Sequence, residues 1–288
     1  MKNKIIKKEN ALHLALIMLG AILILIPAFH TNIWFDESYS VGLVKHSFGE
    51  IWTIGGNDVH PILYYWMLKI INLLFGSNII VYRIFSAMGI IVLGILGFTH
   101  IKKDFGTKTG LLFTFLSLFL PVMLNYALEI RMYSWTIVFV TLMAIYLNRF
   151  IKQKSTKNLI LFGLFSIASC YMHYYALVCA GFINLGLIIH IIKNKKKIEK
   201  KIIKQFILVE IIQVVFYIPW LFCFIKQLTR VGGGFWITIE FPQIMIDIIN
   251  FQFKGSLNEI LPTIFAIALW AYVIYIMIKN IREKKDVN

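Results

Sequence analysis

Acidic residues and cysteines are scarce in this sequence. There are 14 Asp and Glu against 29 Lys and Arg, and three cysteines, in 288 residues. Cys170, Cys179 and Cys223 lie in apolar runs without metal-ligand spacing, so they read as small buried residues and not as disulfides. Charge of either sign is thin: 15% of residues are charged and 59% hydrophobic, with mean hydropathy +0.77. Soluble domains average about 25% charged and about 45–50% apolar, so a soluble fold is excluded. There is no Gly-x-x-x-x-Gly-Lys-Ser/Thr loop, no dinucleotide fingerprint and no His-Glu-x-x-His. The Gly232-Gly233-Gly234 triplet lacks the lysine of a phosphate loop and reads as a flexible joint. A soluble nucleotide-binding domain is therefore absent, and no internal repeat or low-complexity segment is evident.

Long hydrophobic runs are what the chain has instead. They fall near residues 11–29, 79–101, 110–127, 133–150, 158–176, 177–192, 204–224 and 259–279. A further run, 61–75, is short for a crossing and carries Lys69, which suits an interfacial or re-entrant helix. If 61–75 does not cross, all basic clusters (2–8, 102–108, 149–157, 193–204 and 279–285) share one side and hold 22 of the 29 Lys and Arg. The other side then holds eight of the 14 carboxylates. That asymmetry obeys the positive-inside bias and collapses if 61–75 crosses. The expectation is an all-α polytopic membrane protein with about eight transmembrane helices and both termini cytoplasmic, forming one domain over 1–288. The net charge of +15 is then accounted for by cytoplasmic loops, not by nucleic acid.

Two long outer loops follow, 30–78 and 225–258. In the first, Val41, Val44, Phe48, Ile51 and Trp52 recur at helical spacing and predict one amphipathic surface helix, with Asp36 as its N-cap. Gly55-Gly56-Asn57-Asp58 breaks it, and Pro61 starts the next helix. In the second loop, Phe241-Pro242 opens a short helix reaching about Phe253, and Phe235-Trp236 beside Arg230 is an aromatic pair able to meet a sugar or a headgroup.

The candidate chemistry gathers on that outer face. Asp36 and Glu37 are adjacent carboxylates beside hydrocarbon, an expensive placement. Neighbouring helical residues diverge by about 100°, so one of them, Asp36, is the better general base and Glu37 the support. Asp58, His60 and Lys69 flank the Pro61 turn, where cationic donors and a helix N-terminus suit an anion. Arg131 offers a planar fork for phosphate, with Glu129 and Tyr133 beside it. His173, within Tyr171 to Tyr175, joins two spans on the same side. A divalent metal is left open, with Asp58, His60 and His173 as candidate ligands. Each motif also has a plainer reading: a helix cap, a local ion pair, or an aromatic anchor at the interface.

The ordered set Trp34-Phe35-Asp36-Glu37, His60-Pro61-Ile62-Leu63-Tyr64-Tyr65 and Glu129-Ile130-Arg131-Met132-Tyr133 resembles the GT-C glycosyltransferases. Its branch is similar to family 39, which includes protein O-mannosyltransferases and lipid A aminoarabinose transferases, and Tyr171-Met172-His173-Tyr174-Tyr175 resembles a segment of its bacterial members. The resemblance implies an inverting transfer from a polyprenyl-phosphate sugar donor to a lipid, protein or glycan acceptor on the outer face of a bacterial plasma membrane. It also implies catalysis by the acidic pair and no certain cofactor beyond the open metal. A transporter or flippase of lipid-linked sugars is the first rival, disfavoured because most charges sit at one interface. A noncatalytic truncated member is the second, since relatives of this kind continue further.

Overall fold

The computed structural model describes residues 2–232, 240–253 and 260–283, and those residues form helices joined by short loops, with no strand among them. Helix α1 (Lys2–Leu25) carries the first apolar run. Three short helices follow: α2 (Phe35–Leu43), α3 (Phe48–Gly55) and α4 (Leu63–Phe75). Then come α5 (Ile79–Leu96), continued through a π-turn at Gly97–Ile101 into α6 (Lys102–Phe105), and α7 (Thr107–Phe119) with α8 (Pro121–Ala127). The long helices α9 (Tyr133–Gln153), α10 (Thr156–Met172), α11 (Tyr174–Asn194) and α12 (Lys200–Gly232) complete the bundle. They precede α13 (Gln243–Asn250) and α14 (Ile260–Arg282).

Among the described residues five helices are long and apolar enough to cross a membrane, and six if α7 and α8, which meet at a 58° bend, count as one crossing. Proline explains that bend: Pro121 cannot donate to the α7 ladder and is pre-set for the first turn of α8. The expected eight is not reached on length, because α10 and the apolar part of α14 (Thr263–Lys279) are shorter. The chain is an integral membrane protein on the strength of these helices. Broad apolar faces remain exposed, such as Ile207, Leu208, Ile211 and Val215 on α12, as a lipid-facing surface requires.

The single surface helix expected over 41–52 is two helices. Ser47 and Glu50 form a capping box, with Glu50 accepting from the Ser47 N–H (2.9 Å) and hydroxyl (2.7 Å), and this starts α3 afresh. Nor does Asp36 cap α2. The helix begins at Phe35, and it is Glu37 that reaches back to accept the Trp34 N–H (3.2 Å). Helix α4 starts two residues after Pro61 and has 13 residues, which rise roughly 20 Å against a hydrocarbon core of about 30 Å. Residues 225–232, expected in the second loop, continue α12 instead. Gly233, Gly234, Phe235 and Trp236 lie outside the described residues.

Packing places the short helices over one end of the bundle. Ile51 of α3 and Tyr64, Tyr65 and Leu68 of α4 are fully buried in one cluster with Ile130, Met132, Met172 and Trp220. The entry to α9, the end of α10 and Trp220 of α12 thus pack against α3 and α4. A separate cluster built on Phe150, Phe162 and Leu187 packs α9, α10, α11 and α12 further along.

Candidate functional site

The first turn of α2 divides the site, because its two carboxylates point to different partners. Glu37 is buried and accepts from Arg83 Nη1 (2.9 Å), from the Ile130 N–H (2.8 Å) and from the Trp34 N–H. Arg83 rises from α5 and also donates to the carbonyls of Leu128 (2.6 Å) and Asn32 (2.7 Å). One buried ion pair thereby ties the 32–37 segment to 128–130. Asp36, by contrast, keeps its side chain 37% exposed, with Oδ2 at 4.0 Å from Arg131 Nη2.

Arg131 is the hub on the Asp36 side. It is buried, donating to the Asp36 carbonyl (3.2 Å) and the Tyr65 hydroxyl (3.3 Å). Its charge acts on Asp58, His60 and His173, so these four lie within one electrostatic neighbourhood. Burial raises the Asp58 carboxyl above the ordinary aspartate value, and the nearby Asp36 charge adds to the rise. Tyr39 sits against it, its hydroxyl held protonated by burial and by the Asp58 charge.

The two histidines face each other, with ring centroids 5.6 Å apart, and Tyr133 lies 5.9 Å from His173. Burial, reinforced by Arg131, pushes His60 down to about 3 and His173 to about 4, so both are neutral at physiological pH. His173 caps α11, its Nδ1 accepting the Tyr175 N–H at 3.1 Å, which puts the ring proton on Nε2.

These residues occupy the starts of helices. His60 precedes α4, Arg131 precedes α9 and His173 precedes α11. The starts of α4, α9 and α11 therefore neighbour one another, with the Arg131 charge acting on the histidines among them, and helix starts beside a cation favour an anion.

Residues on α12 brace this corner from outside. Gln227 Nε2 donates to the carbonyls of Gly55 (2.9 Å) and Gly56 (3.2 Å), and Lys226 Nζ to Asn57 Oδ1 (2.7 Å). Arg230 donates to the carbonyls of Asn57 and Asp58, the latter at 2.8 Å.

On the other side of α2 lies an open cleft of about 620 Å³, lined by Asn32, Trp34, Glu37, Arg83, Asn125 and Glu129 among others. Of the residues singled out in the sequence, Asp36, Asp58, His60, Arg131, Tyr133 and His173 come together. Glu37 and Glu129 face the cleft, and Lys69 joins neither group: it is buried on α4, and its charge acts on Glu50 of α3. Among the described residues no three His, Cys, Asp or Glu side chains converge as a metal would require. Asp58, His60 and His173 thus do not form a ready ligand set, and no step is derived through a metal.

Sequence reasoning gave no site role to Arg83 or Tyr39, and it placed Tyr65 in a motif and Arg230 beside an aromatic pair without linking either to Arg131 or Asp58. Arg83 had a legible signal, since an arginine inside an apolar span demands a buried partner.

A family model described as dolichyl-phosphate-mannose-protein mannosyltransferase matches residues 59–222, more than half of the chain. The matched stretch contains His60, Arg83, Arg131 and His173 and leaves Asp36, Glu37 and the α12 brace outside it. No curated protein and no solved structure matches the chain.

Proposed function

Because the chain belongs to the dolichyl-phosphate-mannose-protein mannosyltransferase family, a group of membrane glycosyltransferases of GT-C type, we propose that it moves a sugar from a polyprenyl-phosphate donor to a hydroxyl-bearing acceptor at the outer membrane face. Asp36 takes the proton of the acceptor hydroxyl. The acceptor oxygen bonds to the anomeric carbon from the side opposite the phosphate, the carbon–phosphate oxygen bond breaks, and its electron pair leaves on the prenyl phosphate, inverting the centre. A phosphate leaving group needs charge neutralisation more than a strong acid, and Arg131 with the starts of α4, α9 and α11 supplies it. His173 Nε2–H and His60 add neutral hydrogen-bonding groups. Lys69 is not part of this arrangement, and Glu37 serves by fixing the turn that carries Asp36.

The observation that supports this reading most is the juxtaposition of a partly exposed carboxylate, Asp36, with a buried arginine, Arg131. The topology proposed with it counts α7–α8, α10 and α14 as crossings, which gives eight and keeps both termini with the basic clusters inside. Asp36→Asn is expected to abolish sugar transfer while leaving melting temperature unchanged, and Arg131→Lys to weaken binding of geranylgeranyl phosphate. Wild-type turnover by Asp36→Asn rules out the assigned base.

A further inference from the structure

Away from the Arg131 corner, the end of α9 carries charge that the transfer chemistry does not use. Helices α9 and α10 meet there in the turn Lys154–Ser155, beside the end of α11. Segment 149–157 holds Arg149, Lys152, Lys154 and Lys157 and no acid, and 190–204 holds seven lysines against one carboxylate, Glu199. Arg149 is paired with Asp104 at 2.7 Å, and Lys152 lies over the Phe105 ring. Lys154 is placed differently.

Lys154 is the C-cap of α9, with φ +50°, in the left-handed region that favours glycine. It is the one non-glycine residue with positive φ among the described residues. Side chains on both sides fix the turn: Asn158 Nδ2 donates to Gln153 Oε1 (2.9 Å), and Thr156 Oγ1 to Gln205 Oε1 of α12 (2.8 Å). The Lys154 ammonium reaches over the buried Phe150 ring and donates to His190 Nε2 of α11 at 3.3 Å. That contact uses one of its three donors. The ion pairs among the described residues use His46, Arg83, Arg131 and Arg149, so no carboxylate neutralises Lys154. Burial holds its pKa below the ordinary lysine value. A half-buried cation without a counter-ion is unfavourable, and a bound anion relieves it.

We infer that the α9–α10 turn, with Lys154 against His190, is a binding site for the phosphate of an anionic phospholipid. A phosphate diester carries one negative charge and two free oxygens, which suit the two remaining ammonium donors. The positive start of α10 follows at once, and its N-cap Ser155 makes no side-chain cap bond. Position favours a lipid over a free ion. The turn ends α9, a helix long and apolar enough to cross, so it lies near headgroup depth. Ile189 and Ile192, on either side of His190, are 44% and 59% exposed and offer a surface for acyl chains. The lysines of 193–204 draw anionic lipid to the same face. This inference does not rest on the transferase reading.

The test uses the full chain in nanodiscs of phosphatidylcholine with increasing fractions of phosphatidylglycerol, read by thermal unfolding and by native mass spectrometry after release into detergent. Phosphatidylglycerol should raise the melting temperature and stay bound in preference to phosphatidylcholine. Lys154→Gly suits the left-handed backbone and should fold normally, with Lys154→Asn, which also tolerates it, as the second variant. Both should need about tenfold more phosphatidylglycerol for the same rise, the loss of one charge-assisted contact. Lys196→Gln removes the same charge from an exposed position and should leave the response unchanged. Equal losses in the Lys154 and Lys196 variants, or no preference for phosphatidylglycerol, overturn the site and leave diffuse attraction to a basic face. A Lys154-dependent rise on adding inorganic phosphate to pure phosphatidylcholine nanodiscs overturns the lipid assignment and makes this a free-phosphate site.

Discussion

Arg83 Nη1 lies 2.9 Å from Glu37 Oε1, with both side chains almost completely shielded from solvent although they are 46 positions apart in the chain. A pair so placed is a constraint on geometry more than a reserve of stability, because the desolvation of two charges offsets much of their attraction. Removing one partner is a different matter. Glu37→Gln leaves a buried guanidinium uncompensated and is expected to lower stability by about 3–5 kcal/mol. Thermal unfolding in nanodiscs measures it, and the double variant Glu37→Gln, Arg83→Met should recover part of the loss. A Glu37→Gln protein as stable as wild type would show that the pair does not hold the α2 turn.

Acid sensitivity follows from the histidine pair. In the unfolded chain both histidines titrate near the ordinary 6.5, whereas in the fold His60 is pushed to about 3 and His173 to about 4. The unfolded state therefore binds more protons as pH falls, so their stability contribution is intact above about 6.5 and is lost progressively down to about 4 for His173 and about 3 for His60. Melting temperature should fall across that window. His60→Gln and His173→Gln should each flatten the decline, and an unchanged profile in both would count against the neutral, desolvated pair.

The brace from α12 should be measurable apart from chemistry. Gln227 is buried, and Gln227→Leu strips the Gly55 and Gly56 carbonyls of their donor, at an expected cost of about 1–3 kcal/mol. Arg230→Lys keeps a cation but loses the fork onto Asn57 and Asp58. It should raise the KM for donor more than it lowers kcat, since it displaces the turn leading to His60. A change in kcat alone would indicate direct participation of Arg230.

Close helix packing gives a further check. A Cβ on Gly97 would stand 2.2 Å from Thr114 Oγ1 and 3.0 Å from the Gly110 carbonyl oxygen, so α7 itself must move. Gly97→Ala should destabilise by about 1–3 kcal/mol. Gly181→Ala meets nothing within 4 Å and removes the entropic cost of a helical glycine, so it should be neutral or stabilising by about 0.5–1 kcal/mol. Equal effects at the two positions would contradict the close packing of the Gly97–Ile101 π-turn on α7.

Much of this protein was legible one residue type at a time. Hydrophobic run length set the membrane class and the helical fold, because a backbone in lipid must satisfy its own hydrogen bonds. The charges that remained were few enough to single out Asp36, Asp58, His60, Arg131 and His173. Local caps were harder. Asp36 looked like the N-cap of one long surface helix, yet the Ser47–Glu50 box split that helix and Glu37 took the capping bond.

Sequence alone thus determined a helical membrane protein with its few charges kept largely outside the apolar runs, since composition and periodicity are local properties and the cost of charge in hydrocarbon leaves few alternatives. Only the tertiary structure decided which charges meet. Glu37 finds Arg83 and Asp36 finds Arg131, while Lys69 is buried on α4 apart from both pairs. These pairings depend on how helices far apart in the chain cross and on which way adjacent side chains diverge, and no spacing in the sequence encodes either.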